Sequence, residues 1–242
     1  MLRHLYKNNK LAYNLHLVTK HNILTPGVFV NTVIFQLIND ELSVLLIQRE
    51  DEPYKERWAL PGGPVPLDES TQIAASRIIN NKTGIQIKQL GFLEQLYTFD
   101  SIKNDPGVPA VSVVYMGLGK SITPKATSHN RNAQFYPLDQ IPTLAFDHNN
   151  MINYAHQRLK SKLYYTNAIF ALLPKMFTLS QLQTVYESVL GDKFDKRNFR
   201  KKFLGFNLIK ATDEQYMEGA HRPARLYKFN KHELEYLTRS FE

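Results

Sequence analysis

None of the 242 residues is cysteine. That excludes disulfides, thiolate metal sites and a cysteine nucleophile, and it leaves the redox compartment undetermined. Long apolar runs are missing as well. The stretch 1–22 never places seven apolar residues together, so it does not read as a secretory leader, and no later segment approaches a membrane span. Acidic side chains are in deficit, 22 Asp and Glu against 30 Lys and Arg, for a formal net charge of +8. The remaining composition, 43% hydrophobic and 21% charged, is ordinary for a folded chain and argues against wholesale disorder. The expectation is a soluble, cytoplasmic protein with room for two compact domains or one large one.

The excess of positive charge is local. Residues 1–160 carry 16 cationic and 13 acidic side chains, whereas 161–242 carry 14 and 9. Within 193–210 there are seven Lys or Arg against a single acid, Asp195. A basic balance favours a polyanionic partner, although many basic proteins bind no nucleic acid.

The first two thirds read as mixed α/β. Apolar stretches Pro26–Ile38 and Leu42–Ile47 flank the turn-like Asn39-Asp40-Glu41 and predict a hairpin. A Pro/Gly-rich loop follows at Trp58–Pro66, then a helix from Ser70 to about Lys82, stopped by Gly84. Strands are expected at Gln86–Thr98 and Val108–Leu118, joined through the turn residues Asn104-Asp105-Pro106-Gly107. Ile152, Ala155, Leu159 and Leu163 fall at helical spacing. Beyond them the pattern changes to short capped helices. Thr178 and Gln181 form a capping box, Leu182, Val185, Tyr186, Val189 and Leu190 form one apolar stripe, and Gly191 supplies the stop. The expected division is an N-terminal extension over 1–24, a first domain over 25–163 and a second over 164–242.

The segment from Gly62 to Ile85, GGPVPLDESTQIAASRIINNKTGI, resembles the Nudix box, G-x5-E-x7-R-E-U-x-E-E-x-G-U with U a bulky aliphatic residue. Counted from Gly63, the pattern holds at Glu69, Arg77, Ile79, Gly84 and Ile85, and Trp58-Ala59-Leu60-Pro61-Gly62-Gly63 upstream is also typical of that family. Three positions depart from it. Where the family places glutamates that hold Mg²⁺ or Mn²⁺ on one helix face, this chain has Ile78, Asn81 and Lys82. Ile offers no ligand, Asn a weak neutral one, and Lys a repelling charge, so metal-dependent hydrolysis is expected to be absent or severely weakened. Binding is a separate matter. The Gly/Pro-rich loop with Gly62 and Gly63, and the cations Arg49, Lys55, Arg57, Arg77 and Lys82, are able to receive a diphosphate without metal. Trp58, Tyr97 and Phe99 are candidates to stack on a base. Two alternatives stand beside these roles: Arg77 buttresses the loop by pairing with an acid, and Trp58 belongs to the core. No metal site is expected beyond a residual candidate pair, Glu69 and Glu94.

A second constellation runs from Asp195 to Gly205. Asp195 can cap a helix start and Gly205 its end. Phe199 and Phe203, four apart, face inward; Lys196, Arg197, Arg200 and Lys201 share another face, with Asn198 near the start. Two short helices joined this tightly, the second basic, suit a helix-turn-helix whose second helix enters the major groove. Leu208-Ile209 and Leu226–Phe229 then pair as the strands of a wing around a polar loop, 211–224, that ends in His221-Arg222-Pro223-Ala224-Arg225. The competing reading is a solvated basic surface on an all-helical tail. No Ser, His and Asp suggest a nucleophilic triad, and the eight His show no metal-ligand spacing.

Taken together the chain resembles the NrtR family of Nudix-related bacterial transcriptional regulators. The resemblance covers nearly everything beyond about residue 24. It rests further on Ala145-Phe146-Asp147-His148, Phe177-Thr178-Leu179, Arg197-Asn198-Phe199-Arg200 and Arg222-Pro223-Ala224-Arg225-Leu226-Tyr227. It implies a Nudix-type mixed-sheet α/β/α sandwich followed by a winged helix-turn-helix, usually as a dimer. It further implies a repressor of NAD biosynthesis genes that binds operator DNA and senses ADP-ribose or a related nucleotide, with no required cofactor and no membrane partner. DNA contacts then fall to Lys196, Arg197, Asn198, Arg200, Lys201, Arg222 and Arg225. The alternative class is an active Nudix hydrolase with an appended basic domain.

Overall fold

A computed structural model describes residues 26–100, 109–217 and 223–237. The expected extension 1–24, the turn at 104–107 and Arg222 lie outside the described residues. Strands β1 (Gly27–Ile38) and β2 (Glu41–Gln48) form the expected hairpin, with Ile38 opposite Glu41. Its two-residue turn, Asn39-Asp40, has positive φ at both positions (50° and 65°), the geometry that matches strand twist and that Asn and Asp tolerate best. The Pro/Gly-rich loop carries two short strands, β3 (Trp58–Ala59) on β2 and β4 (Gly62–Pro64) on β1. Helix α1 (Thr71–Thr83) begins where Ser70 accepts the Ile73 amide and ends on Gly84 in the left-handed conformation. Residues 87–89, expected as strand, instead make one 3-10 turn closed by reciprocal Gln86–Gln89 hydrogen bonds, and β5 (Leu90–Asp100) starts after it. Strand β6 (Ala110–Gly119) runs parallel to β1 and antiparallel to β5; β7 (Ala133–Pro137), absent from the sequence reading, pairs with β2.

The result is one mixed seven-stranded sheet with the path β3-β2-β1-β6-β5. Alternation along β1 sorts its side chains. Val30 and Ile34 meet Ala74, Ala75, Ile78 and Ile79 of α1, while Val33 and Phe35 join the core under helix α2 (His148–Tyr165). Helices therefore cover both faces, as expected of the sandwich.

The second domain follows without a break in the core. Ala168–Leu172 form a 3-10 turn with all five residues buried, close enough to β5 that a Cβ on Gly91 would sit 2.9 Å from Ala171 Cα. Helix α3 (Leu179–Leu190) carries the Thr178/Gln181 capping box and ends at Gly191, φ 83°. Helix α4 (Lys196–Leu204) packs Phe199 and Phe203 against Tyr186. Strands β8 (Ile209–Tyr216) and β9 (Ala224–Phe229) form the ribbon of the wing. They are longer than expected: Ala211–Tyr216 of the supposed loop 211–224 is strand, with a register irregularity between Ala211 and Gln215. A ribbon exposed to water needs no apolar alternation, so its polar residues gave no strand signal.

Candidate functional site

The candidate nucleotide-binding residues fall into three groups. At the ends of β2 and β3, Arg49 and Arg57 are joined by the Arg49 amide donating to the Arg57 carbonyl at 2.9 Å, and Gln48 pairs with Trp58. Each guanidinium covers a ring, Arg49 over Phe146 at 4.8 Å and Arg57 over Tyr54 at 5.3 Å, and the two rings meet edge to face at 4.9 Å. Arg49 also donates to the carbonyls of Pro53 and Asp51. Tyr54, Glu56 and Phe146 all have positive φ, backbone strain of the kind found where a surface is shaped for use. Half-buried Trp58 packs edge-on against Tyr136 at 4.9 Å and joins the core under α2.

The loop at Gly62 and Gly63 is the second group. The Asn31 side chain fills the space a Cβ on Gly62 would need, and Asn31 in turn donates to Ser112 at 3.1 Å. Arg77 donates from Nε to both carboxylate oxygens of Glu69 at 2.9 Å and from a terminal nitrogen to the Pro64 carbonyl at 3.0 Å. Of its two sequence-level roles, the geometry displays the buttress.

Tyr97 and Phe99 form the third group, on β5 with Tyr154 of α2. Strand β3 lies beside β2 on the same side as β1, because Ile47 pairs with Ala59 of β3 and with Ala133 of β7, and β5 lies beyond β6. Trp58 and Tyr97 belong to strands that are not neighbours in the sheet.

The residual metal candidates are a correction. Glu69 is engaged by Arg77 on the α1 side, whereas Glu94 pairs with Lys162 of α2 at 2.9 Å on the other. The sheet separates the two carboxylates, and no cluster of three or more His, Asp or Glu among the described residues is placed to hold a metal. Nor do the Nudix-box positions fit a divalent ion. Ile78 is buried, 3.6 Å from where a Cβ on Gly63 would stand, and Lys82 donates to the His129 carbonyl.

In the second domain α4 splits as expected. Lys196, Arg197, Asn198, Arg200 and Lys201 are exposed while Phe199 and Phe203 are buried. None of the four cations makes an ion pair among the described residues. Arg225 is exposed on β9, opposite Gln215.

Two family models match the chain, a NUDIX domain over 28–155 and an NrtR DNA-binding winged helix domain over 169–229. The ADPR responsive transcriptional repressor NtrR of Acinetobacter baylyi is 35% identical over 215 residues, 87% of this chain and 84% of its own length. The chain belongs to the NrtR family of Nudix-related regulators. Shewanella oneidensis NrtR, solved in complex with a 27mer DNA, aligns with a TM-score of 0.73 at 29% identity over 89% of this chain and 99% of its own. The Nudix domain of that NrtR, solved with ADP-ribose, aligns with a TM-score of 0.52 at 30% identity over 57% and 90%.

Several residues that the sequence reading passed over organise this NrtR-type architecture. His148, named only as part of a motif, accepts the Leu60 amide on Nδ1 at 2.9 Å. Burial, helped by the charge of Arg49, lowers its pKa to about 3, so the ring is neutral and pins the loop 58–61 to the start of α2. Glu187 fixes the turn between α3 and α4. It accepts from the Phe194 amide at 3.0 Å, from Lys193 at 2.9 Å and from Gln183 at 2.8 Å. Desolvation pushes its carboxyl upward, but these hydrogen bonds and the Lys193 charge outweigh it and bring the pKa to about 2. His156 meets the Val189 carbonyl and Lys160 donates to that of Leu190, so α2 holds the C-terminal end of α3 directly. Gln183 and Glu187 stand one turn apart on α3, whereas the contacts of His148, His156 and Lys160 carry no sequence signal, because they join residues that only the fold brings together.

Proposed function

We propose that this protein is a DNA-binding transcriptional repressor whose Nudix domain senses ADP-ribose or a related nucleotide, and that it controls genes of NAD biosynthesis. The observation that carries this reading is the two-faced helix α4, with Lys196, Arg197, Arg200 and Lys201 exposed and making no ion pair among the described residues and its phenylalanines seated on α3, inside the segment matched by the winged helix model. The DNA-bound and ADP-ribose-bound Shewanella structures support the two ligand classes. The groups around Gly62 and Arg49 are the proposed diphosphate side, with Trp58 or the Tyr97–Phe99 pair taking the base.

The protein acts as a homodimer on a pseudo-palindromic operator in the cytoplasm. One short recognition helix reads few base pairs, and two-fold pairing doubles them at half-sites set by the helical repeat. Hydrolysis is no part of the function, since the three positions that supply metal ligands in the Nudix box are Ile78, Asn81 and Lys82. Two measurements test the proposal. Duplexes from upstream of the gene and its neighbours are shifted by the full chain, and ADP-ribose changes that affinity. AMP release from ADP-ribose with Mg²⁺ or Mn²⁺ is negligible. Turnover on the ordinary enzyme scale of about 1–10³ s⁻¹, abolished by chelator, together with no binding to any of the duplexes, establishes the hydrolase reading instead.

A further inference from the structure

Arg200 of α4 reaches back to the first turn of α3, where a terminal guanidinium nitrogen donates to Ser180 Oγ at 3.2 Å. Both residues are exposed, so the bond is not a device of the core. It is also a chemically incomplete one. A serine hydroxyl has one proton and two lone pairs. Here one lone pair is used by Arg200, and the Ser180 proton has no acceptor among the described residues. Arg200 has five N–H donors and no carboxylate partner there, so its charge is undiminished.

Two unspent donor groups, one cationic, thus meet at the cleft between the two helices of the helix-turn-helix. We propose that Ser180 and Arg200 form a clamp for a single DNA phosphate, with Ser180 holding the guanidinium in place and donating its own proton to the same phosphate. The assignment rests on the DNA-binding reading above and adds Ser180, which lies outside the basic helix, to the interface. Contacts of this kind fix the register of the protein on the duplex and carry no sequence information. The neighbouring Thr178/Gln181 box is unaffected by it: Thr178 accepts the Gln181 amide, and Ser180 takes no part in the cap.

A double-mutant cycle tests the clamp. Because a phosphate contact is independent of sequence, any 30-base-pair duplex at low salt serves as the probe. Ser180→Ala is expected to weaken binding about three- to tenfold, with an unchanged melting curve and with recovery in Ser180→Thr. Arg200→Ala is expected to weaken it further and to reduce the salt slope by about one. In the Arg200→Ala background, Ser180→Ala is expected to cost nothing more. An equal loss with and without Arg200, or no loss in either, overturns the clamp while wild-type binding upholds the DNA reading. A wild-type chain that binds no duplex at low salt overturns both.

Discussion

The Asp195 carboxylate caps α4 by accepting the backbone amide of Asn198 at 2.9 Å. The cap therefore uses the main chain of Asn198 and leaves its side chain exposed for another purpose. An Asn amide can bond both edge atoms of an adenine at once. The two residues should separate cleanly. Asp195→Ala is expected to lose about 1 kcal/mol of stability with operator preference intact. Asn198→Ala is expected to keep its melting temperature and to lose roughly 1–3 kcal/mol of discrimination. Melting curves beside binding to a set of operator variants check both.

Lys201 shares the exposed face of α4 and makes no ion pair among the described residues. Lys201→Ala is expected to weaken binding to every duplex alike and to lower the salt slope by about one. Titrations at several salt concentrations, on operator and unrelated DNA, read out both effects.

Glu187 makes the helix-turn-helix sensitive to acid. Its folded pKa of about 2 lies below the unfolded value, so the carboxylate stabilises the fold fully above about pH 4.5. That contribution is lost as pH falls toward 2. Glu187→Gln is expected to melt below wild type at pH 7 and to converge with it at the acid end. Thermal melts across pH 2–7 provide the comparison.

His148 acts over a higher window. It is neutral in the fold down to about pH 3 but titrates near 6.5 when unfolded, so the unfolded chain binds more protons between those values. Stability should rise with pH across that interval. His148→Asn retains an acceptor for the Leu60 amide without an ionisable ring, and the slope between pH 3 and 6.5 is expected to flatten in denaturant titrations.

Restoring the family residue at the box is expected to harm the protein. Ile78 is 3% exposed among Val30, Ala74, Ala75 and Tyr115, so Ile78→Glu places a carboxylate in an apolar pocket. A loss of about 3 kcal/mol or more is expected, read by urea denaturation. ADP-ribose calorimetry on the full chain, where the core continues from the sheet through Leu172 into α3, shows whether the sensing site persists in wild type.

What the sequence determined by itself was everything encoded within a turn or two of chain. Ser70, Gly84, Thr178, Gln181, Gly191 and Asp195 mark helix ends through local hydrogen bonds and local backbone geometry, and the structure places helix ends at all of them. Helical spacing separated Phe199 and Phe203 from the cations of α4, and strand alternation and turn residues placed the hairpin. The Nudix-box spacing and the winged helix marks carried the family. The tertiary structure decided the rest, because it depends on which strands are neighbours. Sheet order puts Trp58 and Tyr97 on strands that are not neighbours, and the fold pairs Glu69 with Arg77 and Glu94 with Lys162, which separates the two residual metal candidates. Burial, helped by the charge of Arg49, makes His148 neutral, and burial surrounds Ile78 with apolar side chains; neither burial nor the meeting of Ser180 with Arg200 is written at any fixed spacing along the chain.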